Sequence, residues 1–313
     1  MNAGARLALY GAGLVVAFGA AFAVAGVVVP ASAVDAWSEG SETGGHGSMT
    51  ETSTDSLKGL SLSSDGYVLA ALEAPTVVGE ASELSFQIQD AAGDPVTDYT
   101  TTHEKDLHLI VARSDGSQFR HVHPVLDEAT GTWSTPWEWA EAGSYRMFAD
   151  FAPAGADADA PSLTLTSSVD VAGDLTPVIP QPTRVAEVDG FTVSIEGDMV
   201  AGSSSELSIT VERDGNPVTA LEPYLGAFGH LVALREGDLA YLHVHAAGED
   251  PKEGETAGPT IMFGAEVPTA GRYLLYLDFQ VDGQVHTAEF VLDAAHSDGS
   301  TDTDSGSHSD EGH

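Results

Sequence analysis

Six histidines in this sequence fall into two sets of three with the same internal spacing. The first set is His108, His121 and His123, and the second is His230, His243 and His245. In each set twelve residues separate the first two histidines, and one residue separates the last two. Neutral imidazole is a common metal ligand, and three imidazoles that reach one point can hold Cu(II), Zn(II) or Ni(II). The repeated spacing therefore predicts one metal site in each half of the chain.

The first set lies on a predicted β-hairpin that turns at Asp115-Gly116, a dipeptide typical of two-residue turns. Around that turn His108 falls opposite His123, and Ile110 falls opposite His121. Paired residues share one face of a sheet and alternate residues return to it, so the three histidines project from one face. Cross-strand Cβ atoms lie about 5 Å apart, a spacing from which imidazoles can reach one ion.

The second set repeats this arrangement on a hairpin that turns at Gly237-Asp238. There His230 falls opposite His245, and His243 lies beside them. The two histidine faces also carry the apolar residues Ile110, Ala112, Phe119, Val232, Leu234 and Tyr241. We therefore expect each set at the rim of the core of its own sandwich, where burial lowers the pKa of the rings and keeps them neutral.

Two aspartates at matching positions are candidates for a fourth ligand. Asp150 lies in "MFADF" and Asp278 lies in "LYLDF". Each carboxylate could bind the metal directly, or accept a hydrogen bond from the second nitrogen of a ligating histidine. A third interpretation is a buried carboxylate that holds a turn and has no part in metal binding.

An internal repeat predicts the elements that carry these residues. "GEASELSFQIQDAAGDPVT" resembles "GSSSELSITVERDGNPVT", and "AGSYRMFADF" resembles "AGRYLLYLDF". The runs are short and alternate between apolar and polar residues, and turn residues separate them, a pattern typical of β-strands. Each unit is about 105 residues long, the size of an immunoglobulin-like sandwich. The sequence therefore predicts an all-β protein with two tandem immunoglobulin-like β-sandwich domains after one N-terminal transmembrane helix.

The ends of the chain differ from the repeat. Residues 7–29 carry no charge and are long enough to cross a bilayer, which predicts a transmembrane anchor or a signal peptide with the bulk of the chain outside the cytoplasm. The predicted order is a cytoplasmic N-terminus (1–6), the anchor (7–29), a disordered stalk (30–62), domain 1 (63–173), a proline-rich linker (174–186), domain 2 (187–293) and a disordered tail rich in histidine and aspartate (294–313).

Composition excludes several classes of function. Eleven basic residues against 48 acidic ones give a formal charge of -37, which argues against nucleic acid as a partner. The chain has no cysteine, so disulfides and thiolate ligands are excluded. Without thiolates, the predicted ion is copper, the tightest divalent ion for imidazole, before zinc. The sequence has no nucleophile elbow, P-loop or HExxH motif, so we predict that it is not an enzyme.

At "HLIVARSDGSQFRHVHP", "GSYRMFADF" and "YLGAFGHLVALREGDLAYLHVH" the chain resembles uncharacterised actinobacterial-type proteins. These are membrane-anchored or secreted proteins with tandem immunoglobulin-like modules, loosely associated with copper or heavy-metal handling. The resemblance implies a surface protein that sequesters or delivers metal.

Two alternatives remain. One is a structural or adhesive surface protein whose histidines are core residues. The lesser one is a cupin-like metalloenzyme, suggested by "HVHPVLDE" with Glu128.

Overall fold

The computed structural model describes residues 58–155, 162–242, 244–248, 250–252 and 254–297. All regular elements in that part of the chain are β-strands, which confirms the prediction of an all-β protein. The described residues include no helix with the length and apolar character needed to cross a bilayer. The predicted anchor at 7–29, the stalk up to residue 57, the tail from residue 298 and His243 lie outside the described residues.

The first sandwich is built from the first half of the repeat. Its strands are β1 (Ser63–Ser64), β2 (Tyr67–Glu73), β3 (Ser82–Gln89), β4 (Tyr99–Thr100), β5 (Leu107–Arg113), β6 (Arg120–Val122), β7 (Val125–Asp127), β8 (Thr132–Trp137), β9 (Gly143–Pro153) and β10 (Leu163–Val171). One sheet has the order β1-β2-β3-β8-β7, and the other has the order β10-β9-β5-β6 with β4 beside β9. Strand β3 shows the alternating pattern, since Leu84, Phe86 and Ile88 point into the core and their neighbours do not.

The second sandwich repeats the two-sheet arrangement. Its strands are β11 (Val185–Val188), β12 (Phe191–Glu196), β13 (Met199–Val200), β14 (Ser203–Arg213), β15 (Asn216–Pro217), β16 (His230–Arg235), β17 (Tyr241–Leu242), β18 (Val244–Ala246), β19 (Thr260–Val267), β20 (Gly271–Val281) and β21 (Gln284–Ala295). One sheet has the order β11-β12-β14-β19-β18 with β15 beside β14, and the other has the order β13-β21-β20-β16-β17.

The strands that pair in each hairpin have the predicted register, although the predicted pair of His230 and His245 does not form. Strand β5 pairs with β6 so that Ile110 lies opposite His121. Strand β16 pairs with β17 so that Leu234 lies opposite Tyr241. Turn position and the two-residue period of a strand were therefore sufficient to align the strands on which His108 and His230 lie.

A third apolar layer joins the two sandwiches. Its buried members are Ile110, Ala112, Phe148, Val232, Leu234, Leu239, Tyr241, Leu274 and Tyr276. Strand β5 is buried on both faces, because Leu109 and Val111 enter the core of the first sandwich while Ile110 and Ala112 face the second sandwich. The expectation that the histidine face belongs to the core of its own sandwich is wrong. That face packs against the other sandwich.

At the tip of the first hairpin, the backbone of Gly116 lies in close contact with side chains of the second sandwich. Gly116 has a φ of 84°, and a Cβ added there would stand 2.1 Å from Cδ1 of Leu274. The hydroxyl of Tyr276 donates a hydrogen bond to the carbonyl of Gly116, and its ring stacks on Phe119 with centroids 3.9 Å apart. Glycine is required here both for the left-handed backbone and for the approach to the second sandwich.

The boundaries of the stalk and tail differ from those predicted. The end of the predicted stalk packs against both sandwiches, because Tyr241 N–H donates to the carbonyl of Lys58 at 2.9 Å and Thr166 N–H donates to that of Ser61 at 2.8 Å. At the other end, β21 continues to Ala295, past the predicted start of the tail. Backbone hydrogen bonds extend order at both places beyond the point where the sequence becomes polar.

Candidate metal centre

Four histidines and an aspartate converge where the first sandwich meets the second. His108 lies on β5, His121 on β6, and His123 directly after β6. Across the interface, His230 opens β16 and Asp278 lies beside it on β20, directly opposite in the ladder. The apolar layer between the sandwiches helps to position this cluster, since β5, β16 and β20, which carry His108, His230 and Asp278, also contribute residues to that layer.

The three histidines of the first sandwich present their nitrogens to one point. Nδ1 of His108 lies 3.1 Å from Nε2 of His121 and 3.2 Å from Nε2 of His123. Two nitrogens bound to one ion at 2.0–2.1 Å, at a tetrahedral angle, stand about 3.3–3.4 Å apart. Both distances from His108 are therefore close to those between ligands of one metal, and the ligand atoms of all three histidines lie within 4.8 Å of one another.

Two hydrogen bonds determine which ring nitrogens carry protons. Nε2 of His108 lies 3.2 Å from the carbonyl oxygen of Thr102, which can only accept, so this nitrogen donates and Nδ1 keeps its lone pair. Nδ1 of His121 lies 2.8 Å from Oδ2 of Asp278 and donates to it, so in a neutral His121 ring Nε2 keeps its lone pair. With both rings neutral, two lone pairs face each other at 3.1 Å. A cation between them removes the repulsion.

The second sandwich supplies a further nitrogen and a carboxylate. The rings of His230 and His108 are parallel within 5° with centroids 5.7 Å apart, and the centroids of His230 and His121 are 4.8 Å apart. One ligand atom from each of His121, His230 and Asp278 lies within 4.8 Å of the other two. Nδ1 of His230 is buried without a hydrogen-bond partner, an arrangement that costs about 1–3 kcal/mol when nothing binds there.

Burial favours the neutral form of three of these rings, those of His108, His123 and His230. Burial and the neighbouring His121 lower the pKa of His108 to about 4, and the same two causes lower the pKa of His123 to about 3. Burial also lowers the pKa of His230 well below its usual range. At neutral pH a metal ion can therefore satisfy the facing lone pairs where a proton cannot.

These shifts predict acid sensitivity of the metal-free protein. A histidine whose pKa is 6.5 when unfolded and about 3–4 when folded binds more protons in the unfolded state between those limits. The stability contributed by neutral His108 and His123 is thus fully present above pH 6.5 and is lost progressively as pH falls through that window. Denaturant unfolding with a chelator present, at pH 7.5 and pH 5, measures this loss.

The variant His123→Gln should show a smaller loss of stability than the wild type between those two pH values, because one titrating ring is gone. The matched control His245→Gln should lose as much as the wild type, since His245 is exposed on β18. An equal loss in His123→Gln and the wild type would contradict this account.

The predicted second set is not brought together in the described residues. Strand β16 pairs with β17 as expected, but the chain then crosses to the other sheet, where His245 lies opposite Gly264 on β19. His245 is exposed there, and His230 instead faces the histidines of the first sandwich. His243, the third histidine of the predicted second set, lies outside the described residues. The crossing between sheets is the physical reason that His230 and His245 separate.

The two aspartates have different roles. Oδ1 of Asp150 accepts hydrogen bonds from Ser162 Oγ at 2.9 Å and Thr164 Oγ1 at 2.7 Å, and Asp150 belongs to neither group of converging ligand atoms. The negative charge of Asp150 raises the pKa of His108 and so opposes part of the lowering caused by burial. Asp278 accepts the Nδ1 proton of His121, which belongs to the other sandwich, and is held by Thr287 Oγ1 at 2.6 Å.

Sequence reasoning missed two neighbours of this centre. The ring of His103, an exposed residue of the loop before β5, lies 6.1 Å from that of His108 and 6.0 Å from that of His230. Tyr224 lies 6.4 Å from His123, and burial with the charge of Asp278 raises the pKa of its phenol to about 12. No sequence pattern predicts that His103 or Tyr224 lies near the centre, because loop positions have no periodicity from which a contact can be inferred.

The fold and the site define a tandem β-sandwich protein with a histidine cluster between its sandwiches. A family model described as Domain of unknown function (DUF8832) matches the chain twice, over residues 62–167 and 186–296. The chain belongs to this family and contains one copy of the domain in each sandwich. No curated protein matches the chain.

Several solved structures are similar at low identity. The adhesin InvE of Yersinia pseudotuberculosis is 14% identical, with a TM-score of 0.20, over 74% of this chain and 60% of that chain. Domains 5-6 of the S-layer protein SbsC are 12% identical, with a TM-score of 0.22, over 74% of this chain and 99% of that chain. Invasin, a bacterial integrin-binding protein, is 17% identical, with a TM-score of 0.21, over 75% of this chain and 41% of that chain. The chain spans less than two thirds of InvE, and 31% of a longer SbsC structure.

Proposed function

We propose that this chain is a metal-binding protein that holds copper, or less favourably zinc, between its two sandwiches for sequestration or delivery. The observation that carries the proposal is the pair of ring nitrogens, Nδ1 of His108 and Nε2 of His121, that face each other at 3.1 Å. Nε2 of His123 completes the set of three. The Asp278 carboxylate orients His121, as outer partners of ligating histidines commonly do.

The choice of metal follows from the ligands. All three nitrogens come from imidazole and the chain contains no cysteine, so Cu(II), Zn(II) and Ni(II) are the ions that suit the site. Copper binds most tightly in the usual series. The proposed setting is extracytoplasmic and membrane-anchored, and its support is the uncharged sequence of residues 7–29. The net charge of -37 favours attraction of cations to the chain.

Binding is proposed here without catalysis. Glu128, which would complete a cupin-like motif, is exposed in the turn after β7 and belongs to neither group of converging ligand atoms. The side chains of His108 and His121 are almost fully buried, which leaves His123 as the only half-buried member of the trio. A substrate would have little access to an ion held by this trio.

A structural or adhesive surface protein is the second candidate. The apolar layer and the stacking of Phe119 on Tyr276 can hold the sandwiches together without an ion, and this observation favours it. The similar solved structures are adhesins and surface-layer proteins, but TM-scores of 0.20 to 0.22 are too low to bring that role to this chain.

Metal titration distinguishes the two candidates. If the native state binds the ion and the unfolded state does not, free Cu(II) at 1,000 times its Kd should stabilise the protein by about 4.1 kcal/mol and raise its Tm. Calorimetric unfolding with and without Cu(II) or Zn(II), after dialysis against a chelator, measures this effect. An unchanged Tm and no retained ion would favour the structural role and contradict the proposal.

A further inference from the structure

His121 presents its two ring nitrogens to two different sets of ligands. Nε2 faces His108 of the trio in the first sandwich, while Nδ1 faces Asp278 of the second sandwich. His121 also belongs to a second group of converging ligand atoms, with His230 and Asp278. We propose that the centre holds two metal ions bridged by the imidazolate of His121, the second ion being bound by His121 Nδ1, Asp278 and His230. This inference rests on the proposed function and extends it from a mononuclear site to a dinuclear one.

The spacing of the second group suits an ion. Nδ1 of His121 and Oδ2 of Asp278 are 2.8 Å apart. Two ligands at right angles on one ion, with bonds of 2.0–2.1 Å, stand about 2.9 Å apart, so an ion can replace the shared proton with little movement. One ligand atom from each of His121, Asp278 and His230 lies within 4.8 Å of the other two, so His230 is the third ligand of the proposed ion.

An unsatisfied nitrogen supplies independent evidence for a ligand on this side. Nδ1 of His230 is buried and has no hydrogen-bond partner. Buried polar atoms in native proteins are nearly always paired, and an exception calls for a bound water or ion. A metal ion at this position gives the unpartnered nitrogen of His230 a partner.

The charges of the surrounding groups offset three of the four positive charges of two divalent ions. When the second ion binds, the Nδ1–H bond of His121 breaks, the proton goes to solvent, and a bond from that nitrogen to the ion forms. The resulting imidazolate and the Asp278 carboxylate each bring one negative charge. Asp150, buried opposite His108, brings a third close by. Thr287 holds the other oxygen of Asp278 at 2.6 Å, which fixes the carboxylate in place for the second ion.

Copper titration followed by electron paramagnetic resonance tests the bridge. The wild type should lose signal as the second equivalent enters the centre, because two Cu(II) ions joined by an imidazolate are magnetically coupled. The variants Asp278→Asn and His230→Ala should each bind one equivalent less than the wild type and show the full signal of an isolated Cu(II). Comparing variants on the full chain cancels any copper held by histidines outside the centre.

Three results would overturn the dinuclear site. They are equal stoichiometry in the wild type and both variants, two ions with no magnetic coupling, and a single ion whose affinity falls in His230→Ala, which would make His230 a fourth ligand. In each of these the mononuclear proposal survives. Absence of any copper from the centre in the wild type would instead overturn the proposed function itself. The apo proteins should have similar circular dichroism spectra, which separates loss of a ligand from loss of the fold.

Discussion

The variant His121→Ala is expected to lose high-affinity metal binding. His121 is the one residue whose nitrogens serve both groups of converging ligand atoms, so its removal dismantles both. Loss of an outer partner of a ligating histidine commonly costs 10- to 100-fold in affinity, and loss of a shared ligand should cost more than roughly 100-fold. Isothermal titration with Cu(II), and with Zn(II) as a second probe, measures the change.

His245→Ala is the matched control for this experiment. The spacing in the sequence gave His245 the same expected role, yet it lies exposed on β18 in the sheet away from the cluster. Its replacement should leave the affinity of the centre within about two-fold of the wild type. Equal losses in both variants, or no loss in His121→Ala, would show that the ion binds elsewhere.

The variant Val232→Asp is expected to weaken metal binding by about 10- to 100-fold without replacing a ligand, because it separates His121 from its outer partner Asp278. Val232 is fully buried in the layer between the sandwiches, and an unpaired carboxylate there costs several kcal/mol. Each sandwich has its own separate core, so the interface should open before either sandwich unfolds. Opening of the interface moves His230 and Asp278 away from His121. Titration with Cu(II) measures the change in affinity, and small-angle scattering measures the separation of the two sandwiches.

Two further variants make this test specific. Val285→Asp places the same charge on β21 at a position that is 43% exposed, and it should change neither affinity nor shape. Gly116→Ala attacks the same interface from the first sandwich, because its Cβ would stand 2.1 Å from Leu274, and it should weaken binding as well. Retained affinity in Val232→Asp, with the scattering curve of a separated molecule, would contradict a site shared between the sandwiches.

Local sequence information was sufficient for the hairpins and insufficient for their surroundings. Asp115-Gly116 located the first turn, and the period of the strands placed His121 opposite Ile110. The same reasoning showed that the face with Ile110 is apolar. It could not show what covers that face, because periodicity reports burial and does not identify the covering element.

One feature of the sequence did point to the interface. "LHLIVAR" on β5 is apolar at nearly every position, a pattern typical of a strand buried on both faces. Such a strand in a two-layer sandwich requires a third layer, and here the second sandwich provides it. No pattern in the sequence indicates that β17 and β18 belong to different sheets. The prediction that His245 joins His230 failed for this reason.

The most direct test is the position of a metal ion in crystals of the protein grown with Cu(II) or Zn(II). Anomalous diffraction at the absorption edge should give a peak about 2.0–2.1 Å from Nδ1 of His108 and from Nε2 of both His121 and His123. Asp278 from the second sandwich should lie in contact with His121 beside that peak. Separate peaks confined to each sandwich, or ordered and metal-free histidines at saturating ion, would contradict a metal centre built across the interface.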